Sequence, residues 1–152
     1  MRQQLRRDLD LRTFEIDGNT YFAVQLEEFP KYYATTSGHI ISTCYKEDRV
    51  LAAGKRGDYL QVRLANNGED SRKSYYVHRL IAEAFYEAPD NDRNGNPRCQ
   101  VNHINGIKTD NKQCNLEFLS AKENIQHHHQ VLTQIRDHFH SASVAEQGAA
   151  NA

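Results

Sequence analysis

The stretches Val101-Asn-His-Ile-Asn-Gly106 and Asn115-Leu-Glu-Phe-Leu-Ser-Ala-Lys-Glu-Asn124 decide the fold of this chain. Each begins with a short run typical of a β-strand, and a long polar loop separates the two. Ser120 and Glu123 match the capping box, in which a serine oxygen accepts from the third helical amide and a glutamate reaches back to the cap. The sequence therefore predicts strand, loop, strand and helix, with the helix running from Ser120 to about Arg136.

This order brings together side chains that suit hydrolytic chemistry. His103 ends the first strand, whereas Asn124 and His128 lie four residues apart on one helical face. A neutral imidazole accepts a proton from water near neutral pH, so His103 is the candidate general base. The amide oxygens of Asn102 and Asn124 suit a hard cation such as Mg²⁺. Each residue alone is more often an ordinary surface, cap or turn residue, and only the combination points to a site.

Two further residues complete the candidate set. His128 is a candidate metal ligand or phosphate contact, and an imidazole ligand would admit Mn²⁺ or another transition metal in place of Mg²⁺. We assign Asn115 a structural role, because its amide can donate to and accept from the backbone of the polar loop.

The preceding region is rich in β-forming residues. Short runs between Thr20 and Val77 alternate with turn residues, and Asn67-Gly68 is a hairpin signal between the last two runs. We predict a small antiparallel sheet here, followed by a helix over residues 78–85. For the first thirteen residues we predict a short helix or a loose arm.

Basic residues concentrate in this same region. From Arg49 to Arg79 there are seven basic and three acidic residues, a local excess of four although the chain's net charge is −1. Such an excess can contact nucleic-acid phosphates, and the alternative is a solvated sheet face. The candidate DNA-binding side chains are Lys55, Arg56, Arg63, Arg72, Lys73 and Arg79.

The composition limits the class of protein. The chain has 152 residues, of which 38% are hydrophobic and 26% charged, and its length suits one domain. No apolar run approaches a membrane span, so we expect no membrane partner. Cys44, Cys99 and Cys114 are odd in number and lack paired spacing, which fits reduced thiols in a cytoplasm. A zinc-stabilised interaction module using Cys99, Cys114 and the histidine run at 127–129 is one alternative.

At these motifs the chain resembles the HNH endonucleases of the His-Me finger (ββα-metal) superfamily, particularly those of phages and intron homing elements. The segments that carry the resemblance are residues 78–85, 101–111 and 115–124. Residues 29–77 resemble, more loosely, the DNA-contacting module that often precedes this nuclease in homing enzymes. The resemblance implies a metal-dependent endonuclease acting on double-stranded DNA as a monomer or homodimer, of phage or mobile-element origin and located in the host cytoplasm.

The resemblance also assigns roles by position. It makes His103 the base, places one divalent metal at Asn102 and Asn124, and gives Asn115 a structural role. The last motif position falls on His127 or His128, and helical spacing favours His128. Relatives often carry Asp where this chain has Asn102, and likewise at Asn105. A neutral carbonyl holds a dication less tightly than a carboxylate, so a non-catalytic DNA-binding protein derived from an HNH nuclease is the second hypothesis.

The expected fold is therefore α+β, with a small antiparallel sheet module followed by a ββα-metal hairpin and helix. We expect an N-terminal arm or short helix over residues 1–19 and the β-rich DNA-contacting module over 20–77. The HNH nuclease core is expected over 78–140, and a disordered tail over 141–152.

Overall fold

The computed structural model describes residues 3–65, 71–87 and 89–150. Over these residues, eight strands precede the first α-helix and two more strands precede the second, so the predicted α+β class is confirmed. The first five strands form one antiparallel sheet in chain order: β1 (Leu11–Ile16), β2 (Asn19–Gln25), β3 (Tyr32–Thr35), β4 (Ile40–Ser42) and β5 (Arg49–Val50). Three more form a second antiparallel sheet: β6 (Gly54–Arg56), β7 (Tyr59–Ala65) and β8 (Arg72–Tyr76).

The third unit begins with helix α1 (Val77–Phe85). Strands β9 (Gln100–His103) and β10 (Leu116–Leu119) then pair as an antiparallel hairpin, with a turn of 3₁₀ helix at Gln113–Asn115 before β10. Helix α2 (Ala121–Ala150) follows directly. Within the described part of the chain, no helix is both long and apolar enough to cross a membrane.

Two features of the N-terminal half differ from the sequence prediction. The β-rich region forms two sheets rather than one, and it begins at β1 rather than near Thr20. Residues 11–16 are a strand, not part of a short helix, because Asp17 and Gly18 adopt positive φ angles of 50° and 77° and close a tight β1–β2 hairpin. Asp-Gly is a strong signal for this turn. The predicted Asn67-Gly68 turn lies outside the described residues, but β7 and β8 on either side pair antiparallel.

Helix α1 joins the three units through one hydrophobic core. Its apolar face packs with strand residues that include Ile40 of the first sheet, Leu64 of the second and Leu116 of the hairpin. Leu116 has no exposed surface, and burying a leucine contributes about 2 kcal/mol. Apolar packing thus holds the hairpin against the sheets, while backbone hydrogen bonds join β9 to β10.

The start of α2 has the predicted cap. The Glu123 amide donates to Ser120 Oγ at 3.3 Å, and the Ser120 amide donates to Glu123 Oε2 at 3.0 Å, which confirms the capping box. The helix continues to Ala150, past the predicted end near Arg136, and includes residues 141–150 that were predicted to form a disordered tail. Residues 121–147 contain no glycine or proline, so no helix breaker ends it earlier.

One glycine allows the first sheet to contact the loop before β10. Gly38, in the β3–β4 turn, has a φ of 88°, and a Cβ there would lie 2.5 Å from the carbonyl carbon of Asn111. The Gln113 amide donates to the Thr36 carbonyl at 3.0 Å beside it. The turn and the loop therefore fit against each other only when position 38 has no side chain.

Helix α1 also buries a histidine. His78 is 5% exposed, and its ring centroid lies 4.8 Å from that of Tyr59 and 5.5 Å from that of Tyr76. Its Nδ1 has no hydrogen-bond partner among the described residues. Burial, together with repulsion from His103 and two nearby basic side chains, lowers the pKa of His78 to about 4, so the ring is neutral at pH 7.

Gly38→Ala should destabilise the protein more than Gly18→Ala. Both positions have positive φ, so each alanine costs about 1 kcal/mol of backbone strain. Only at Gly38 does the new Cβ overlap a neighbouring backbone, which should add about 1–3 kcal/mol. Denaturant unfolding of both variants measures the difference, and equal losses would contradict the close approach.

His78 should make stability dependent on pH. The unfolded chain binds a proton at His78 below about pH 6.5, whereas the folded chain does so only near pH 4. The free energy of unfolding should therefore fall by up to about 3 kcal/mol as pH drops from 6.5 to 4. His78→Phe should flatten this profile, and the exposed His138→Gln should not. Parallel profiles for wild type and His78→Phe would contradict the account.

Candidate active site

The β9–β10 hairpin presents polar side chains on two faces. Side chains alternate along a strand, so His103 shares one face with Val101, while Asn102 shares the other with Gln100. The contacts agree with this alternation. His103 lies against Asn111 and the α1 histidine His78, whereas Gln100 bonds to a side chain of α2.

His103 is buried and held by one hydrogen bond. It is 3% exposed, and its ring centroid lies 5.2 Å from that of His78 and 6.1 Å from that of Tyr59. Its Nε2 lies 2.8 Å from Oδ1 of Asn111, an atom that only accepts, so Nε2–H is the donor. This tautomer leaves Nδ1 with the lone pair that a general base needs.

Electrostatics keep this imidazole neutral. Burial is the main cause that lowers the pKa of His103, and the nearby ammonium of Lys108 acts in the same direction. The hydrogen bond to Asn111 and the charge of Asp110 oppose the shift but do not reverse it. The ring is therefore ready to accept a proton near pH 7.

Asn111 is a site residue that the sequence did not single out. It is 3% exposed, and besides accepting from His103 it has an Nδ2 with no partner among the described residues. The run Thr109-Asp110-Asn111 is typical of a turn, and nothing local to it indicates that the Asn111 amide binds the ring of His103.

Asn115 holds the polar loop next to His103. Its Oδ1 accepts from the Asn105 amide at 3.0 Å, and its Nδ2 donates to Asn105 Oδ1 at 3.0 Å and to the Asp110 carbonyl at 2.8 Å. The Asn105 side chain donates to Asp110 Oδ2 at 2.8 Å. An aspartate at 105 would instead oppose that carboxylate, which gives a physical reason for asparagine there.

Two amides with available oxygens lie between the hairpin and α2, one from each: Asn102 on β9 and Asn124 on α2. Asn102 Nδ2 donates to Glu117 Oε1 at 2.9 Å, and Asn124 Nδ2 donates to Gln100 Oε1 at 2.8 Å. Each amide thus uses its NH₂ group on a neighbouring oxygen, and neither Oδ1 has a hydrogen-bond partner within the described ranges. Oxygen donors of this kind fit Mg²⁺ or Mn²⁺.

The histidine run meets the hairpin through His127. Its Nε2 lies 3.1 Å from the Ile104 carbonyl at the end of β9, whereas His128 is exposed and its ring packs near that of His129. The structure therefore brings His127 to the hairpin, and not His128, which helical spacing favours. No cluster of three or more His, Cys, Asp or Glu that could hold a metal occurs in the part of the chain described, and Cys44, Cys99 and Cys114 are exposed free thiols.

The basic side chains flank a separate groove. A hollow of about 350 Å³ lies where β5, β6 and β7 approach one another, and its lining includes Lys55, Arg63 and Arg72. Two further lining residues, Tyr45 and Arg49, are not among the candidate DNA contacts, although Arg49 was counted in the basic run. Tyr45 accepts from Arg72 Nη2 at 2.7 Å, and the Arg49 guanidinium stacks 3.2 Å from the centre of its ring.

The other three candidate DNA contacts lie outside this lining. Arg56 is exposed on β6, Lys73 is exposed on β8, and the Arg79 guanidinium lies 5.9 Å from the centre of the Tyr76 ring. The structure therefore groups three of the six candidate DNA contacts, Lys55, Arg63 and Arg72, in one groove with Tyr45 and Arg49.

Comparison with known proteins supports the resemblance. Two proteins of Acanthamoeba polyphaga mimivirus, both named as HNH endonucleases, are 35% and 31% identical to this chain over 104 and 113 residues, or 68% and 72% of its length. A SPbeta prophage protein of Bacillus subtilis (strain 168), whose name classes it with HNH homing endonucleases, is 34% identical over 104 residues, 68% of this chain. No solved structure shows a significant match.

The shared region is only a part of each relative. It spans 24% and 31% of the two mimivirus proteins and 54% of the prophage protein. The family model described as HNH endonuclease matches residues 75–126, which run from the end of β8 through α1 and the hairpin to the first turns of α2. These residues contain His103, Asn111 and both α2-face amides, and the segment 75–126 is accordingly an HNH endonuclease domain.

Proposed function

We propose that this protein is a metal-dependent endonuclease that hydrolyses DNA phosphodiester bonds with His103 as the general base. The observation that carries the proposal is the buried, neutral ring of His103, whose tautomer Asn111 fixes within an HNH domain. Its Nδ1 takes the proton of a water molecule, and the resulting hydroxide attacks the phosphorus in line with the leaving 3′ oxygen. The product then carries a 5′ phosphate.

Asn102 and Asn124 would hold one divalent ion, with Mg²⁺ expected and Mn²⁺ or another transition metal as the alternative. When bound, that ion supplies positive charge to offset the charge that develops on the phosphate and the leaving oxygen. Asn102 and His103 are adjacent on β9, but their side chains leave opposite faces of the strand. One phosphate would therefore have to lie at the end of the hairpin, where β9 stops, to reach both.

The basic sheet surface would hold the DNA backbone. Lys55, Arg56, Arg63, Arg72, Lys73 and Arg79 supply positive charge, and arginine binds phosphate oxygens through paired donors. The hairpin and α2 would then present the site to one strand, as in the His-Me finger arrangement. One site cuts one strand, so a monomer nicks duplex DNA and a double-strand cut requires two copies. The viral and prophage relatives favour an origin in a phage or mobile element.

One observation favours a second candidate function. Asn102 stands where a carboxylate is common in the family, and a weakly held metal would leave a protein that binds DNA without cutting it. Retained DNA binding with no metal-stimulated nicking by the wild-type protein would select this alternative.

His103→Ala should abolish metal-stimulated nicking. Loss of a general base lowers the rate by about 10²-fold or more, so supercoiled plasmid incubated with Mg²⁺ or Mn²⁺ should stay supercoiled. His138→Ala, which removes an exposed imidazole from the far part of α2, should nick at the wild-type rate. Undiminished nicking by His103→Ala would remove this residue from the mechanism.

Arg56→Gln combined with Arg63→Gln should weaken DNA binding in a salt-dependent way. Each lost phosphate contact should lower the slope of log affinity against log salt by about 0.9, whatever the DNA sequence. Fluorescence anisotropy with a labelled duplex over a NaCl series measures the slope. Lys31→Gln, an exposed base just before β3, is the matched control. A double variant with the wild-type slope would show that this surface does not contact phosphates.

A further inference from the structure

Glu117 is an acidic side chain beside the candidate metal site to which the sequence analysis assigned no role. It is the direct cross-strand partner of Asn102 in the β9–β10 hairpin, so both side chains project from the same face. That face also carries Gln100, to which the α2 residue Asn124 bonds. A carboxylate therefore stands next to the position where relatives carry Asp and this chain carries Asn.

Only one of the two carboxylate oxygens of Glu117 bonds to another side chain among the described residues. Its Oε1 accepts from Asn102 Nδ2 at 2.9 Å, while its Oε2 accepts no hydrogen bond, and no basic side chain pairs with it, within the described residues. Glu117 is half-buried and lines an open groove of about 810 Å³, together with Ile104 and Leu119. Among the described residues, neither Asn102 nor Asn124 lines this groove, so it adjoins the amide pair on the Glu117 side.

We propose that Glu117 supplies the carboxylate of the metal site in place of the aspartate missing at position 102, an inference that rests on the endonuclease function proposed above. Relative to a protein with Asp at position 102 on β9, the negative charge lies at the facing position of β10, on the same face of the hairpin. Carboxylates hold hard divalent cations more tightly than neutral amide oxygens do, so this one charge offsets the weakness of Asn102 as a ligand.

The pairing also explains why an amide suits position 102. An aspartate there would place two carboxylates within about 3 Å of each other, which is unfavourable unless a cation or a proton lies between them. Asn102 instead donates its NH₂ to Glu117, and the donation leaves the Asn102 oxygen available to the ion. Positions 102 and 117 therefore form one unit with a single negative charge.

Mn²⁺ binding to the full chain tests the inference without relying on activity. Isothermal titration with Mn²⁺ alone should show roughly tenfold or weaker affinity for Glu117→Gln than for wild type. Glutamine keeps an acceptor for Asn102 and removes only the charge. The charge-swapped variant Asn102→Asp with Glu117→Gln should recover most of the loss, because the carboxylate returns on the facing strand. Glu28→Gln, a like charge change at an exposed site before β3, should bind as wild type does.

Two results would overturn the inference in variants whose thermal unfolding shows that they fold. Unchanged Mn²⁺ affinity in Glu117→Gln is one. The other is a loss that the charge swap does not recover, which would show that the loss does not come from the missing carboxylate. Metal-stimulated plasmid nicking by the wild type separates the two proposals. If the wild type nicks and Glu117→Gln binds Mn²⁺ with unchanged affinity, only the role of Glu117 is rejected. Absence of both nicking and Mn²⁺ binding in the wild type rejects both.

Discussion

The register of the β9–β10 hairpin decides which side chains meet in this domain. Leu116 is fully buried in the core under α1 and pairs directly with His103. A slip of one residue in β10 would expose Leu116 and turn Glu117 to the other face. Core packing thus fixes the register of the hairpin, because a slip would expose a buried leucine. The register in turn keeps His103 towards α1 and Asn102 towards α2.

His103, the proposed base, is further restrained by residues distant in sequence. Gly38 in the first sheet lets the backbone at Asn111 approach closely, and the amide of Asn111 then fixes the tautomer of His103. Asn115 ties the intervening loop to both of its ends. The β-rich module therefore supports the ring of His103 as well as carrying a basic surface, which gives a physical reason for this module and the hairpin to lie in one chain.

Local sequence signals predicted the parts of the fold that local chemistry determines. Ser120 and Glu123 gave the start of α2 correctly, because a capping box satisfies amides within one turn. The β1–β2 hairpin has an equally local signal in Asp17-Gly18, although the sequence analysis predicts a short helix or a loose arm just before it. The far end of α2 was placed too early, because a small and polar composition lowers helix stability without stopping the helix.

The site itself was only partly predictable. Strand alternation separates Asn102 from His103, and which face each one takes depends on the burial of Leu116. Positions three and four residues after Asn124 both flank its helical face, so the choice between His127 and His128 depends on how α2 crosses the hairpin. Asn111 matters only because Gly38 packs against it, a contact between positions more than seventy residues apart that no single-sequence pattern encodes.

The central claim is that the amide face of the hairpin and the His103 face serve one phosphate. Anomalous diffraction from crystals of the protein grown with Mn²⁺ and a short DNA duplex tests it most directly. The account predicts one strong peak per chain, within bonding distance of the Asn102 and Asn124 oxygens, with the scissile phosphate between that ion and His103 Nδ1. A peak found only at the exposed histidines of α2, or a phosphate beyond the reach of His103, would contradict it.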